Sequence, residues 1–227
     1  MITLYHCIAA RSFRPLWTLE ELGVPYELRM LPFPPRATAR SYLAVNPLGT
    51  VPLLVDGDTR MTESAAMCQY LAARHAPTPL DVGVGEPEFG AFLNYVHFGE
   101  ATLTFPQALV LRYSRFEPEP RRLPQVVDDY TRWFLARLRT LEPLLERQPY
   151  LCAQRFTAAD ISVGYALLLA GHLGLQQRFT PAVAAYWERL RGRDAFARAL
   201  AAQTRAAQEQ GVPLLPAPDA GAPDRNP

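Results

Sequence analysis

Lysine is absent from this chain: all 23 basic residues are arginine. That removes Schiff-base chemistry on a lysine amine and any phosphate loop closed by a lysine. Cysteine is scarce. Cys7, Cys68 and Cys152 are odd in number and far apart, with no CxxC pair, which excludes a disulfide framework and a structural zinc site and points to a reducing cytoplasm. Excess charge of either sign is lacking too, the formal net charge being +1, so nothing drives the chain toward nucleic acid or an anionic membrane. Met1-Ile2-Thr3-Leu4-Tyr5 carries no basic n-region or long apolar run, so no export signal is expected. No uncharged stretch has the length to span a bilayer. What is present is the mix of a soluble globular protein, 49% hydrophobic and 20% charged over 227 residues, enough for one or two cored domains.

The rest is arranged around Asn46-Pro47-Leu48-Gly49-Thr50-Val51-Pro52-Leu53-Leu54 and then Met61-Thr62-Glu63-Ser64. Asn-Pro and Gly49 are turn chemistry. Pro52 has no N–H for a sheet ladder and belongs at a strand start. Leu53-Leu54-Val55 reads as a short apolar strand, Asp56-Gly57-Asp58 as a tight hairpin turn, and residues 59–62 as the return strand. Glu63-Ser64 opens an alanine-rich helix whose free N–H groups and positive dipole end suit a carboxylate. Val51-Pro52 is the kind of bond a fold can hold cis, and a cis bond there turns the N–H and C=O of Val51 edge-on to an extended ligand. A proline-started strand and a plainly capped helix describe the same residues equally well.

Residues 2–5 read as a buried strand and residues 12–22 as a helix stopped by Gly23; residues 26–31 form a second strand. A stiff Pro32-Phe33-Pro34-Pro35 loop leads to a short helix over 36–43. The result is a β-α-β-α-β-β-α module over residues 1–76. A proline-glycine linker, 77–87, separates it from an all-helical domain over 88–210. In that domain a long aromatic-rich helix over 88–115 is expected to kink at Pro106, and 126–147 is amphipathic. Phe156-Thr157-Ala158-Ala159-Asp160 is a capping box for an apolar helix over 161–173, expected at the centre of the second domain. Thr180-Pro181 starts another helix, and 194–210 forms one more. Residues 211–227 are expected to be a disordered tail.

Together these residues resemble cytosolic glutathione transferases of bacterial type. The resemblance rests on the Asn-Pro-x-Gly-x-Val-Pro-x-Leu turn and the Glu-Ser helix start, with Leu4-Tyr5-His6 and the run from Arg11 to Gly23 upstream. It covers roughly residues 2–205. It implies a thioredoxin-like N-terminal domain, an all-α C-terminal domain and a cytoplasmic, homodimeric detoxification enzyme. Such an enzyme takes glutathione as co-substrate and adds its thiolate to a small apolar electrophile, by conjugation or dehalogenation. Under that resemblance Glu63 binds the γ-glutamyl ammonium, and Ser64 with its N–H binds the adjacent carboxylate. Val51, held by Pro52, pairs main chain to main chain with the cysteinyl unit, and Thr50 approaches the glycyl end.

The thiolate-activating group stays open. In the bacterial Ser-Arg-x-x-Arg arrangement the serine slot falls on Ala10, which has no hydroxyl. The remaining candidates are Ser12, which equally caps a helix; Arg11; Tyr5, though a strand tyrosine more often serves packing; and Cys7, though a thiol at this spacing is more often buried and inert. The electrophile is expected against the long helix, at Tyr95, His97, Phe98, Ala101, Phe105 and Tyr113, although an aromatic stripe at helical spacing is more often a core or dimer face than a substrate pocket. His97 beside Glu100 lacks the further ligands a metal needs. Two other functions fit the same residues: glutathione-dependent reduction of peroxides or disulfides, and a non-catalytic transferase-like module that holds a ligand or a protein.

Overall fold

The computed structural model describes residues 1–221. Four strands form one sheet in the order β2-β1-β3-β4: β1 (Ile2–His6), β2 (Tyr26–Met30), β3 (Leu53–Asp56) and β4 (Thr59–Met61). β1 runs parallel to β2, pairing Ile2 with Tyr26 and His6 with Met30, and antiparallel to β3. Helix α1 (Phe13–Leu22) makes the parallel crossover and ends on Gly23 at φ 64°, a left-handed cap that costs glycine nothing. Side chains alternate across β1: Ile2, Leu4 and His6 are buried, Thr3 and Tyr5 half-buried. Ile2, Leu4 and Leu54 pack in one cluster with Leu16 and Leu19 of α1 and with Met67 and Leu71 of α3 (Ser64–Arg74). The β-α-β-α-β-β-α order is the expected one. The expected helix over 36–43 is instead two short pieces, α2 (Pro35–Thr38) and a 3-10 turn (Arg40–Ala44).

The remainder is helical. Six elements follow: α4 (Phe89–His97), α5 (Phe105–Leu111), α6 (Pro124–Leu138), α7 (Glu142–Leu145), α8 (Ala158–His172) and α9 (Pro181–Arg191). The chain of helices closes with α10 (Asp194–Glu209). The expected long helix is not uniform: π-helical turns occupy Phe98–Thr104, just before Pro106, and Arg112–Phe116. Pro106 has no N–H to give Thr102, and a wider turn accommodates the missing bond. The 126–147 expectation breaks at a 3-10 turn (Arg139–Leu141) ahead of Pro143. α8 is buried along nearly its whole length, as its apolar sequence requires. Its Thr157–Asp160 capping box is present, the Thr157 N–H donating to Asp160 Oδ2 at 2.8 Å. Asp160 Oδ1 also accepts from the Leu151 N–H and the Tyr186 hydroxyl.

The two halves share a core. The Trp17 ring of α1 lies 5.7 Å from Phe156 and 4.9 Å from Phe196, and Gly164 of α8 faces it where a side chain would collide. The 77–87 segment is clipped to the second half by Arg155, which donates to Pro79 O, Asp81 O and Glu86.

The expected tail is different. Residues 212–220 return across the molecule, forming a 3-10 turn (Ala217–Asp219) with Ala217 and Ala220 buried. Alanine and proline in this stretch have little side-chain entropy to lose on ordering, and the contacts that order it lie far away in sequence. Residues 222–227 lie outside the described residues.

Candidate functional site

A cavity of about 440 Å³ opens between the sheet domain and the helices α5 and α8. One part of its lining is polar and comes from the central stretch. Asn46 closes the turn: its Nδ2 donates to Thr50 O at 2.9 Å and its Oδ1 accepts from the Leu48 N–H. The Tyr42 hydroxyl donates to the same Thr50 carbonyl at 3.0 Å, so the peptide leading into Val51 is held from two sides. Gly49 sits at φ 61°, and a Cβ there would lie 2.9 Å from Arg36 Cβ, so only glycine lets α2 approach. The Val51–Pro52 bond is cis. Among the described residues the Val51 N–H and C=O have no hydrogen-bond partner.

Thr50, Val51, Pro52, Glu63 and Ser64, the five expected binding residues, all line this cavity. Glu63 is the N-cap of α3, yet its side chain makes no cap bond. Among the described residues its carboxylate has neither a hydrogen-bond nor an ion-pair partner, so capping does not account for it. Ser64 is buried, and its hydroxyl accepts from Arg14 Nη1 at 3.1 Å.

Arg14 organises the centre. It is fully buried. Its guanidinium also donates to Ser162 O and Gly99 O at 3.1 Å, to Thr104 Oγ1 at 2.7 Å and to Glu100 Oε2, and it lies 4.4 Å from the Tyr165 ring centroid. Glu100 therefore stands between two arginines, because Arg11 Nε donates to its Oε1 at 2.7 Å. Burial pushes the Glu100 carboxyl up, and Arg14 and Arg11 more than reverse this, holding it below the usual carboxylate range. Arg11, Glu100 and Tyr165 all line the cavity.

The candidates for thiol activation separate clearly. Ala10 and Arg11 face the cavity. Ser12 does not: it is fully buried, and its hydroxyl exchanges hydrogen bonds with the Cys7 main chain at 3.4 and 3.5 Å. Tyr5 points to the far side of β1, its ring 5.3 Å from Tyr42. Cys7 is buried with its Sγ toward Pro32 O at 3.8 Å, and burial pushes its thiol well above the ordinary value.

The electrophile expectation needs correcting. None of Tyr95, His97, Phe98, Ala101, Phe105 and Tyr113 lines the cavity. Tyr95 packs edge-on to Phe98 at 6.2 Å, while His97, Ala101 and Phe105 are exposed. The same run of helix contributes Glu100, Ala108, Leu111 and Phe116 instead. Each π turn adds residues beyond the 3.6 of an α-turn, so the face turned to the cavity shifts phase along the run. Phe33 stands 5.5 Å from Phe116 and completes an apolar wall with Leu169, Ala217 and Pro218.

Sequence reasoning also missed Arg14, Glu100 and Arg36. Glu100 carried a signal, being the one charged residue from Phe98 to Leu111. Arg36 lines the cavity without an ion-pair partner among the described residues. No group of three or more His, Cys, Asp or Glu side chains that could hold a metal occurs among the described residues. Nor is any described helix long and apolar enough to cross a membrane.

Residues 10–74 match the family model for the glutathione S-transferase N-terminal domain. Over its length the chain is similar to Glutathione S-transferase 3 of Zea mays, 30% identical, the match covering 90% of each chain. Among solved structures it is similar to a glutathione transferase from Methylococcus capsulatus. That likeness has a TM-score of 0.81 and 26% identity, over 90% of this chain and 100% of the other. It is also similar to glutathione transferase URE2P6 from Phanerochaete chrysosporium, solved with oxidized glutathione. Here the TM-score is 0.79 and the identity 27%, over 90% of this chain and 97% of the other. The relatives span bacteria, fungi and plants, a wider range than the bacterial type alone.

Proposed function

The chain belongs to the glutathione transferase family and is an enzyme of that class with glutathione as its co-substrate; from this premise we propose how its own residues divide the work. Glutathione lies extended along Val51, its cysteinyl unit pairing with the free N–H and C=O there. The Glu63 carboxylate takes the γ-glutamyl ammonium. The adjacent carboxylate takes the Ser64 hydroxyl and the N–H groups at the start of α3, where the helix dipole favours an anion. Arg36, with Thr50 beside it, faces the glycyl carboxylate. The thiolate then adds to a small apolar electrophile held against Phe33, Phe116 and Leu111.

Arg11 is assigned to the sulfur. Ala10 offers no hydroxyl and Ser12 is turned away, so a guanidinium charge is what the cavity supplies beside that position. The gain from thiol activation is bounded. Lowering a thiol pKa of about 8.5 by about two units raises the thiolate fraction roughly 25-fold at neutral pH, and reduced nucleophilicity takes back about 8-fold. Holding two reactants together is worth far more. A site without a hydroxyl donor is therefore compatible with turnover. A disulfide-exchange role for Cys7 finds no support in a thiol pushed upward and buried.

The observation that carries this reading is the unpaired Glu63 carboxylate at the head of α3, in one cavity with Val51. A hydrogen bond to a charged group is worth about 1.5–3 kcal/mol, so Glu63→Ala should weaken glutathione binding about 10- to 100-fold in calorimetry with the circular dichroism spectrum unchanged. Equal affinity in that variant removes the assignment. Arg11→Met should raise the thiol pKa of bound glutathione in an ultraviolet thiolate titration, and an unmoved titration excludes Arg11. A homodimer and a cytoplasmic location belong to the same proposal, and sedimentation equilibrium reads the first of them.

A further inference from the structure

We propose that Tyr165 and Gln203 are positioning residues: they clasp Ala9 by its C=O and its N–H, hold it in a left-handed backbone, and so aim Arg11 at the glutathione sulfur. This rests on reading the cavity as the glutathione site with Arg11 beside the sulfur.

β1 ends at His6, and the chain turns over residues 7–10, the Ala10 N–H donating to Cys7 O at 3.1 Å. Ala9, third in this turn, has φ 56°. Glycine and asparagine take up that conformation readily, whereas the Cβ of alanine makes it costly. Among the described residues three besides glycine have positive φ, namely Ala9, Ala153 and Gln154, and of these Ala9 alone lines this cavity. Such a backbone persists where its surroundings over-determine it. Here the Ala9 N–H donates to Gln203 Oε1 of α10 at 3.1 Å, and the Ala9 C=O accepts from the Tyr165 hydroxyl of α8 at 3.3 Å. Both side chains are buried, and Ala9 packs with Ile8, Met30 and Ala207. Burial raises the Tyr165 hydroxyl to about 12, so it stays a donor across neutral pH.

The site is thus held in two ways. Val51, Glu63 and Ser64, which grip the tripeptide, belong to the sheet domain. Ala10 and Arg11, at the sulfur end, directly follow a residue fastened by two helices of the other half. Glu100 fixes the head of the Arg11 side chain, and the clasp on Ala9 fixes its main-chain root. Small displacements count at this end. A guanidinium that retreats about 1 Å from a thiolate about 4 Å away loses about a fifth of its attraction. At an effective dielectric of about 20 that is about a fourfold change in the acid dissociation constant of the thiol.

Ultraviolet thiolate titration and calorimetry, both with glutathione itself, test this on four chains: the parent, Tyr165→Phe, Gln203→Met and the double variant Ala9→Gly with Tyr165→Phe. Tyr165→Phe keeps a ring against Arg14 and removes only the hydroxyl. Its bound thiol should titrate at higher pH, with an acid dissociation constant about fourfold lower. Glutathione affinity measured on the acid side of that titration should be unchanged. Gln203→Met frees the other end of Ala9 and should move the titration the same way. Glycine takes a left-handed backbone without the Cβ penalty, so the double variant should return most of the way to the parent titration. An unmoved titration in either single variant overturns the clasp. A Tyr165→Phe shift that Ala9→Gly fails to reverse also overturns it, since the hydroxyl would then act on the sulfur directly. Failure of the parent chain to bind glutathione overturns the site reading itself, a distinct result.

Discussion

Arg14 decides more of this site than any residue that touches solvent. A buried guanidinium is tolerated only when every N–H finds an acceptor. Here it makes five hydrogen bonds, to two main-chain carbonyls, two hydroxyls and the Glu100 carboxylate. Removing one partner of a buried charged pair leaves the other uncompensated and costs about 3–5 kcal/mol. Arg14→Met should lower stability by that amount in urea denaturation. Arg14→Lys should restore little of it, because an ammonium carries three donors at a point and cannot reproduce a planar fork. Full recovery by lysine would mean that only the charge matters. Arg14 also explains the limits of sequence reading at this scale. Its partner Glu100 is 86 positions away, and no local pattern links the two. Val51, Glu63 and Ser64 stood out in the sequence because a turn, a proline and a helix start share one stretch from Asn46 to Ser64.

At the scale of elements, the strands and the capped helices were legible, and the phase of the long helix was not. Hydrophobic spacing locates a helix but assumes one period throughout, and the π turns at Phe98–Thr104 and Arg112–Phe116 break that period. The first of them is tied to a close crossing. A Cβ on Gly99 would come within 2.4 Å of Ser162 Oγ and 2.5 Å of Ser162 C on α8. Ser162 Oγ donates to Val96 O at 2.6 Å across the same contact. This gives a prediction with opposite signs at two glycines. In an open helix, glycine to alanine stabilises by about 0.5–1 kcal/mol. Gly90→Ala in α4, with nothing near its Cβ direction, should do that. Gly99→Ala must push against α8 main chain and should cost about 1–3 kcal/mol, a loss of several degrees in thermal midpoint. A stabilised Gly99→Ala would show that the crossing is not tight.

At the scale of the whole molecule, α10 is what makes the two halves one unit. β2 is an edge strand, and edges left open invite pairing with other chains. Gln210 covers it, accepting from the Met30 N–H and donating to Leu28 O. Arg193 forks onto Glu21 at 2.6 and 2.8 Å. Deeper in, Gln203 Oε1 accepts from the Ala9 N–H and pairs with His6 Nε2 at 2.9 Å, holding the turn that presents Ala10 and Arg11. The cost of this arrangement is a fully buried histidine, and burial pulls its pKa down from 6.5 to about 4. The unfolded chain takes up this proton as pH falls through 6.5, while the folded chain does not until about 4. Stability from this site is therefore present above 6.5 and is lost progressively toward 4, by about 3 kcal/mol in all. Asp160 works against it, because burial raises its carboxyl to about 6, so the folded state is the better proton acceptor there and gains as pH falls. The two nearly offset in the native chain, and a flat curve by itself is uninformative. His6→Gln removes one side of the balance. Its stability, followed by urea denaturation from pH 7 to 4, should rise relative to the parent by about 3 kcal/mol across the window, whatever its absolute loss at neutral pH. Parallel curves for the two proteins would mean that His6 takes up its proton in the folded state as readily as in the unfolded one, and that α10 does not seal it from water.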